Sequence, residues 1–429
     1  MKIAITTVGT RGDLQPYIAL GLGLKESGFD VLIVSAKNEE FFVRNFGLDF
    51  YALDVDIQKI IEGGEAKEMT KGSNPFKFII GHLKSSKSLK KLMVRTQGEI
   101  WQACQNADIL IFHPGIPLGF FLAKEENKQA ILATPFPVVP CKEYPSILFY
   151  SLPKFGRYYN LLTHFIFDKV FWAMAKSPIK TFLTESIKMK ANLRFSPLKQ
   201  QIYTGQLVLN GYSNLLFPHS KEWTNNIHTT GSWFIEEEPN FLPSNDLQSF
   251  INNGEAPVYI GFGSMKDIEG FNKTLDTIID ALKITKQKAV VGLGWTANNY
   301  KEVLPDNIFL IDSIPHSWLF PKMKMVVHHG GAGTTAAGLK AGKPTIIIPH
   351  NADQPAWGKR VFELGVGSKP IKRSKLTSEK LANAIRFVQQ PKIIANADKL
   401  GQELRKENGV KKAVKIINDY LAKDKNDGS

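Results

Sequence analysis

The sequence predicts an α/β protein of two Rossmann-like, doubly wound parallel-sheet domains facing each other across a cleft. Three observations carry that prediction. The chain has 429 residues, and a single hydrophobic core stops growing near roughly 250–300 residues. Short apolar runs bounded by Gly, Pro or Asp alternate with helical patterns, which is how strands buried on both faces and joined by βαβ crossovers read. The alternation breaks between Pro218 and Pro257, where Glu236-Glu237-Glu238-Pro239-Asn240 and Asn252-Asn253-Gly254-Glu255 are acidic and turn-rich. The reading is a first domain over 1–217, a linker over 218–256, a second domain over 257–405 and a C-terminal segment over 406–429.

The strands follow in order. In the first half they are Lys2–Thr7, Asp30–Ser35, Ile109–Phe112, Ala130–Ala133 and Leu215–Phe217. In the second half they are Val258–Gly261, Ala289–Val291, Ile308–Ile311, Met325–His328 and Thr345–Ile348. Each is a run of apolar residues too short for a helix. Leu381, Ile385 and Val388 recur at helical spacing behind Thr377, a natural N-cap.

Composition narrows the class. Hydrophobic residues are 43% and charged residues 22% of the chain, as in a globular protein. No apolar run reaches the length of a membrane-spanning helix, and the first residues read as a strand rather than a signal peptide. The two cysteines, Cys104 and Cys141, exclude a disulfide framework and a cysteine metal site, and suit a cytoplasmic protein. The net charge of +14 fits a polyphosphate substrate, an anionic membrane surface, or plain solubility. No nucleic-acid motif accompanies it.

The sharpest motif is His328-His329-Gly330-Gly331-Ala332-Gly333-Thr334-Thr335, between a strand and a helix. Glycines let a ligand approach the backbone, and a helix N-terminus offers free N–H groups and a dipole that favours anions. His329 and Thr334 add donors. Val258-Tyr259-Ile260-Gly261-Phe262-Gly263-Ser264 is a second strand ending in glycines, where Gly263 and Ser264 can meet the same diphosphate. Pro349-His350-Asn351-Ala352-Asp353-Gln354 follows a third strand; Asp353 and Gln354 can bind sugar hydroxyls, or Asp353 can cap a helix. In the first half, Gly9-Thr10-Arg11-Gly12-Asp13-Leu14-Gln15-Pro16 places Asp13 in the loop after the first strand. There it is either a general base or the N-cap of a helix beginning near Pro16. His113 holds the analogous position after Ile109–Phe112, as a buried structural histidine or a partner of Asp13. Two stretches mix aromatics with cations: Lys71 to Arg95, and Tyr144 to Trp172. Each is either an interfacial, lipid-facing surface or a core-facing helix with a solvated side.

These segments, with Gly231-Ser232-Trp233-Phe234 and Ile314-Pro315-His316-Ser317-Trp318-Leu319-Phe320-Pro321, resemble the inverting GT-B glycosyltransferases of family 1. Within that family the chain is most similar to the sterol 3-beta-glucosyltransferases and the bacterial antibiotic glycosyltransferases. The resemblance implies Asp13 as catalytic base, with Thr10 and Arg11 lining the donor or acceptor side. It implies Ser264 and His329 as diphosphate contacts, with Gly331, Ala332, Gly333 and Thr334 in the same loop. Ala332 replaces a serine found in some sterol enzymes. His316 matches a residue near the nucleotide base, and Asp353 and Gln354 the pair that grips the sugar. The tryptophan that stacks on uracil in the plant branch, near Ser313, is missing. The last helix, about Val410–Ala422, would return to the first domain.

The implied reaction is an inverting, metal-independent transfer of a hexose, glucose from UDP-glucose, to a hydroxyl of a hydrophobic acceptor such as a sterol. No cofactor is expected beyond that UDP-sugar co-substrate. His113 would orient or share the proton of Asp13. The rival readings are another apolar acceptor (polyketide, peptide antibiotic, phenolic or glycolipid), a sugar-nucleotide epimerase, and a non-catalytic nucleotide-sugar-binding protein. The expected location is cytoplasmic, peripheral at the inner face of the membrane if the basic charge serves that end.

Overall fold

The structure is a computed structural model that describes residues 1–9, 11–56, 87–236, 238–239, 241–262, 268–292, 304–350 and 353–427. The described residues form two compact units, 1–235 with 407–427, and 236–406.

The first unit runs β1 (Lys2–Thr6), α1 (Arg11–Glu26), β2 (Asp30–Ala36), α2 (Glu40–Asn45), β3 (Asp49–Leu53), α3 (Lys87–Cys104), β4 (Ile109–Phe112), α4 (Leu118–Glu125), β5 (Gln129–Thr134), α5 (Arg157–Thr181), α6 (Pro197–Tyr203), β6 (Val208–Asn210) and β7 (Ile227–Thr229). Its strands form one parallel sheet in the order β3-β2-β1-β4-β5-β6-β7. Every residue of β4 is buried, as a strand covered on both faces requires.

The second unit runs α7 (Asn245–Asn252), β8 (Val258–Gly261), α8 (Ile268–Thr285), β9 (Ala289–Gly292), β10 (Ile308–Ile311), α9 (His316–Leu319), β11 (Met325–His328), α10 (Ala332–Lys340), β12 (Thr345–Ile347), α11 (Gln354–Glu363), α12 (Ser378–Val388) and α13 (Pro391–Lys406). Its parallel sheet has the order β10-β9-β8-β11-β12. Alternate residues of β8 feed opposite faces. Val258 and Ile260 join Leu275, Leu282 and Leu381, whereas Tyr259 joins Leu247, Leu319 and Phe320.

The chain then re-enters the first unit as α14 (Gly409–Asp427). Ala413, Val414, Ile417 and Leu421 pack into the same core as Leu20 and Leu24 of α1. Gly23 permits the approach: a Cβ there would stand 2.5 Å from Val410 Cγ1.

Several details differ from the sequence reading, which has no counterpart of β3, β6 or β7. The acidic stretch over 218–256 does not stand between the units. Residues 218–235 belong to the first and supply β7, and Glu236 opens the second. Leu215–Phe217 is a turn, not a strand: the N–H groups of Leu216 and Phe217 both donate to Ser213 O, at 3.0 Å. Phe217 is buried there against the rings of Tyr144, Tyr150 and Tyr212. Both cysteines are buried and free, and burial pushes each thiol up to about 12.

Candidate active site

In each sheet the chain direction reverses its march between two central strands, β1 and β4 in one, β8 and β11 in the other. Ligands of open α/β sheets bind beyond the carboxyl ends of such a pair.

In the second unit, β11 ends at His328, which is fully buried. Its Nδ1 accepts the Gly330 N–H at 3.0 Å, so it braces the turn from below. Gly330 has φ +94°, and a Cβ there would lie 2.7 Å from Ile347 Cγ2; only glycine fits. Gly331 is the N-cap of α10, and no side chain caps that helix. Its first turn, with Ala332, Gly333 and Thr334, contains no acidic residue. The N–H groups of this turn are therefore presented with the positive end of the helix dipole. Thr335 is structural, its hydroxyl donating to Gly331 O at 2.8 Å.

His329 stands over that helix end, since a Cβ on Gly331 would lie 2.7 Å from its Nε2. Burial pushes its imidazole down to about 4, so the ring is neutral at neutral pH. Its Nδ1 is buried with no hydrogen-bond partner among the described residues. His350 lies beside it, ring centres 6.4 Å apart, and tilts over Phe262 at 5.6 Å. Burial, then the Arg373 cation, takes His350 down to about 3. Gln354 Oε1 accepts the His350 N–H at 2.8 Å, and Asp353 Oδ2 accepts the Trp357 indole N–H at 2.8 Å. Gln354 is thus tied to the backbone of His350 and Asp353 to a buried indole ring. His316 opens α9, stacked on Phe320 with ring centres 4.2 Å apart.

In the first unit, Asp13 lies within the first turn of α1, which starts at Arg11 rather than near Pro16. It is neither a loop residue nor an N-cap. Gly9 makes room for it, because a Cβ at Gly9 would lie 2.6 Å from Asp13 Cβ. The Arg11 guanidinium sits 3.9 Å over the Phe42 ring and draws down Glu39, whose carboxyl burial pushes up. Tyr17, one helical turn beyond Asp13, is buried and donates to Ala133 O at 2.7 Å. Burial, and next the Asp13 charge, raise its phenol well above the ordinary value.

His113 follows β4, its N–H bonded to Thr6 O at 3.0 Å. Its Nδ1 accepts the Gly115 N–H at 2.9 Å, which puts the ring proton on Nε2. That nitrogen is buried with no hydrogen-bond partner among the described residues. The ring meets Tyr17 edge-on at 5.8 Å, and burial lowers its pKa to about 4. Tyr17 touches His113 and feels the charge of Asp13, linking the two residues singled out from sequence.

Thr10, Gly263 and Ser264 lie outside the described residues, as does most of the Lys71 to Arg95 stretch. Sequence reasoning passed over Tyr17, His350 and Arg373. The spacing of Tyr17 from Asp13 would have flagged it had α1 been started at Arg11. Asp54-Val55-Asp56 has the Asp-x-Asp spacing of a metal-binding pair. Asp54 is instead held by Lys37 at 2.5 Å and Arg95 at 2.8 Å, and these cations lower its pKa.

Comparison with known proteins bears on the family and the fold. Residues 3–111 match the glycosyltransferase family 28 N-terminal domain. Residues 276–418 match the erythromycin biosynthesis protein CIII-like C-terminal domain. The glycosyltransferase of kitacinnamycin superposes with a TM-score of 0.69 at 17% identity, over 97% of this chain and 98% of that one. The glycosyltransferase VinC, solved in complex with dTDP, gives 0.65 at 15% identity, over 98% and 99%. Fold and relatives together define a glycosyltransferase of the GT-B class.

A sterol 3-beta-glucosyltransferase of Arabidopsis thaliana is 33% identical over 98% of this chain and 68% of its own length. One from Vanderwaltozyma polyspora is 34% identical over 97% of this chain and 34% of its own. The chain belongs to the sterol 3-beta-glucosyltransferase family. It spans about two thirds of that plant relative and about a third of the fungal one. Among the described residues no helix is long and apolar enough to cross a membrane.

Proposed function

We propose that the chain transfers glucose from UDP-glucose to the hydroxyl of a sterol, with inversion at the anomeric carbon. The observation that carries the donor half is the start of α10: a helix with no side-chain cap and no acid in its first turn, beside a neutral imidazole with a buried, unpartnered nitrogen. Such a place fits a diphosphate, whose oxygens would accept hydrogen bonds from the N–H groups of Ala332, Gly333 and Thr334 and from the ring N–H of His329. Asp353 and Gln354 would hold the hexose hydroxyls, and His316 would lie near the base. Arg11, with Thr10, Gly263 and Ser264, completes the proposed donor set. The acceptor is taken from the names of the relatives.

The step balances without a cofactor or a metal. The acceptor oxygen forms its bond to the anomeric carbon as its proton passes to Asp13. The bond from that carbon to the diphosphate breaks, and UDP leaves with the electron pair. Charge growing on the leaving oxygens is met by the α10 turn and His329. His113 would act from Nε2 as a neutral donor that orients Asp13 or the acceptor hydroxyl.

The test is mass spectrometry of products from UDP-glucose offered with sterols and phenolic aglycones. A sterol hexoside formed by the parent and not by Asp13→Asn is the expected result. Hexosides of phenolics alone would replace the acceptor, and a changed donor sugar with no acceptor consumed would make the protein an epimerase.

A further inference from the structure

The amphipathic order of α5 is inverted over its first turns. A surface helix ordinarily turns its apolar stripe inward and its polar residues to water. Here Asn160, Thr163 and His164 are the buried residues. Asn160 Nδ2 donates to Lys142 O at 2.9 Å, the Ser146 N–H to Thr163 Oγ1 at 2.9 Å, and His164 Nε2 lies 3.0 Å from Tyr144 O. These bonds fix the rotation of the helix. What they turn outward is Tyr158 at 83% exposure, Leu162 at 54%, Phe165 at 43% and Ile166 at 36%. Phe155, just before the helix, is exposed as well, at 71%. The same column continues as Lys169, Ala173, Lys176 and Lys180. At 3.6 residues per turn all eight helical positions fall within an arc of about 100°.

We propose that this outward face of α5 is the surface by which the protein sits on an anionic lipid bilayer. The rings and aliphatic chains of the first half enter the headgroup boundary, and the lysines of the second half meet lipid phosphates. The helix then lies in the plane of the interface. Charge argues for lipid over a protein partner. Residues 154–199 hold nine Lys or Arg against two acids, Asp168 and Glu185, within a chain of net charge +14. Asp168 is already engaged by Ser196 Oγ, at 2.5 Å. The inference rests on the sterol reading for its purpose, delivery of an acceptor that resides in the bilayer, and on α5 alone for its place.

The experiment is co-sedimentation of the full chain with phosphatidylcholine vesicles, with and without phosphatidylserine, at low and physiological salt. The parent should bind only the vesicles containing phosphatidylserine. L162Q/F165Q should weaken binding at least about tenfold at all salt concentrations. K169Q/K176Q/K180Q should weaken it about a hundredfold at low salt, near fivefold per cation, and flatten the salt dependence. Leu162, Phe165, Lys169 and Lys180 are exposed and Lys176 is half-buried, so melting temperatures should stay near the parent's. Undiminished binding by L162Q/F165Q, or no binding by the parent, overturns the proposal. So does concentration-dependent self-association that the double variant abolishes without vesicle binding, which would make the face a contact between copies. Binding is read without donor or acceptor. If the parent binds as expected but no sterol is glucosylated, the acceptor reading fails and the surface stands.

Discussion

The two sheets share a strand order around their centres, β3-β2-β1-β4-β5 in one and β10-β9-β8-β11-β12 in the other. Each sends a helix away from the carboxyl end of a central strand, α1 after β1 and α10 after β11. They treat the N-terminus of that helix in opposite ways. In α1 the first turn carries its own carboxylate, Asp13, above a glycine that makes room for it. In α10 the first turn carries no acid and no side-chain cap, and a neutral histidine stands beside it. The same dipole thus meets a carboxylate of its own helix in one unit and no side-chain cap or acid of its own in the other. One backbone arrangement can therefore hold a base or hold an anion, and the first few residues of the helix decide which.

The comparison can be broken at either helix. The largest expected effect is that of Asp13→Asn. Turnover should fall about 10²–10⁴-fold, the worth of a general base, while calorimetry finds UDP binding within twofold of the parent, taking twofold as roughly the limit of a meaningful difference. An active Asp13→Asn enzyme would remove Asp13 as the base. Next is His329→Ala, which should weaken UDP binding about 10–100-fold, the range of a hydrogen bond to a charged partner. Parent-like binding by that variant would take His329 off the diphosphate. Third, Ala332→Asp gives α10 what α1 already has. Donor binding should weaken by about tenfold, while the melting temperature holds or rises, because the new carboxylate occupies the dipole. Stronger donor binding would contradict the assignment of α10 as the anion site.

The smallest effect is on stability and sharpens what the sites share. His113 and His164 in one unit, and His329 and His350 in the other, are all held at about 3 to 4 by burial. Unfolded, each takes a proton near pH 6.5. The folded state excludes that proton, so stability is full above about pH 6.5 and falls as the pH drops toward 4. The slope is up to about 1.4 kcal/mol per pH unit for each imidazole. Replacing His113 or His329 with Gln should each flatten the fall, measured as melting temperature against pH. An unchanged slope would mean that the imidazole is protonated in the native state.

The strands that frame both sites were legible because each is a short apolar run stopped by a glycine, histidine or threonine, and burial on both faces leaves no other pattern. Strands β6 and β7 were not. They are three residues long and carry Asn210 and His228, and the stronger apolar run, Leu215 to Phe217, lies in the turn between them. The start of α1 was misread because Arg11-Gly12-Asp13 is weakly helical by composition and Pro16 imitates a first helical position. With the helix begun too late, Asp13 became a loop residue and Tyr17 lost its relation to it. The glycine turn between β11 and α10 was legible, since Gly330 and Gly331 answer to local backbone geometry. The neutrality of its histidines was not, because burial depends on residues distant in sequence.

The return of α14 to the first unit sets an order of events during synthesis. Residues 236–406 form an uninterrupted stretch that can pack as soon as it has left the ribosome. The first unit begins earlier and finishes later, because Val414, Ile417 and Leu421 pack into the same core as Leu20 and Leu24. Its opening strands must wait, with that core incomplete, until α14 has emerged. Ribosome-stalled chains ending before Gly409 should therefore resist protease over 236–406 while the segment before it is cut.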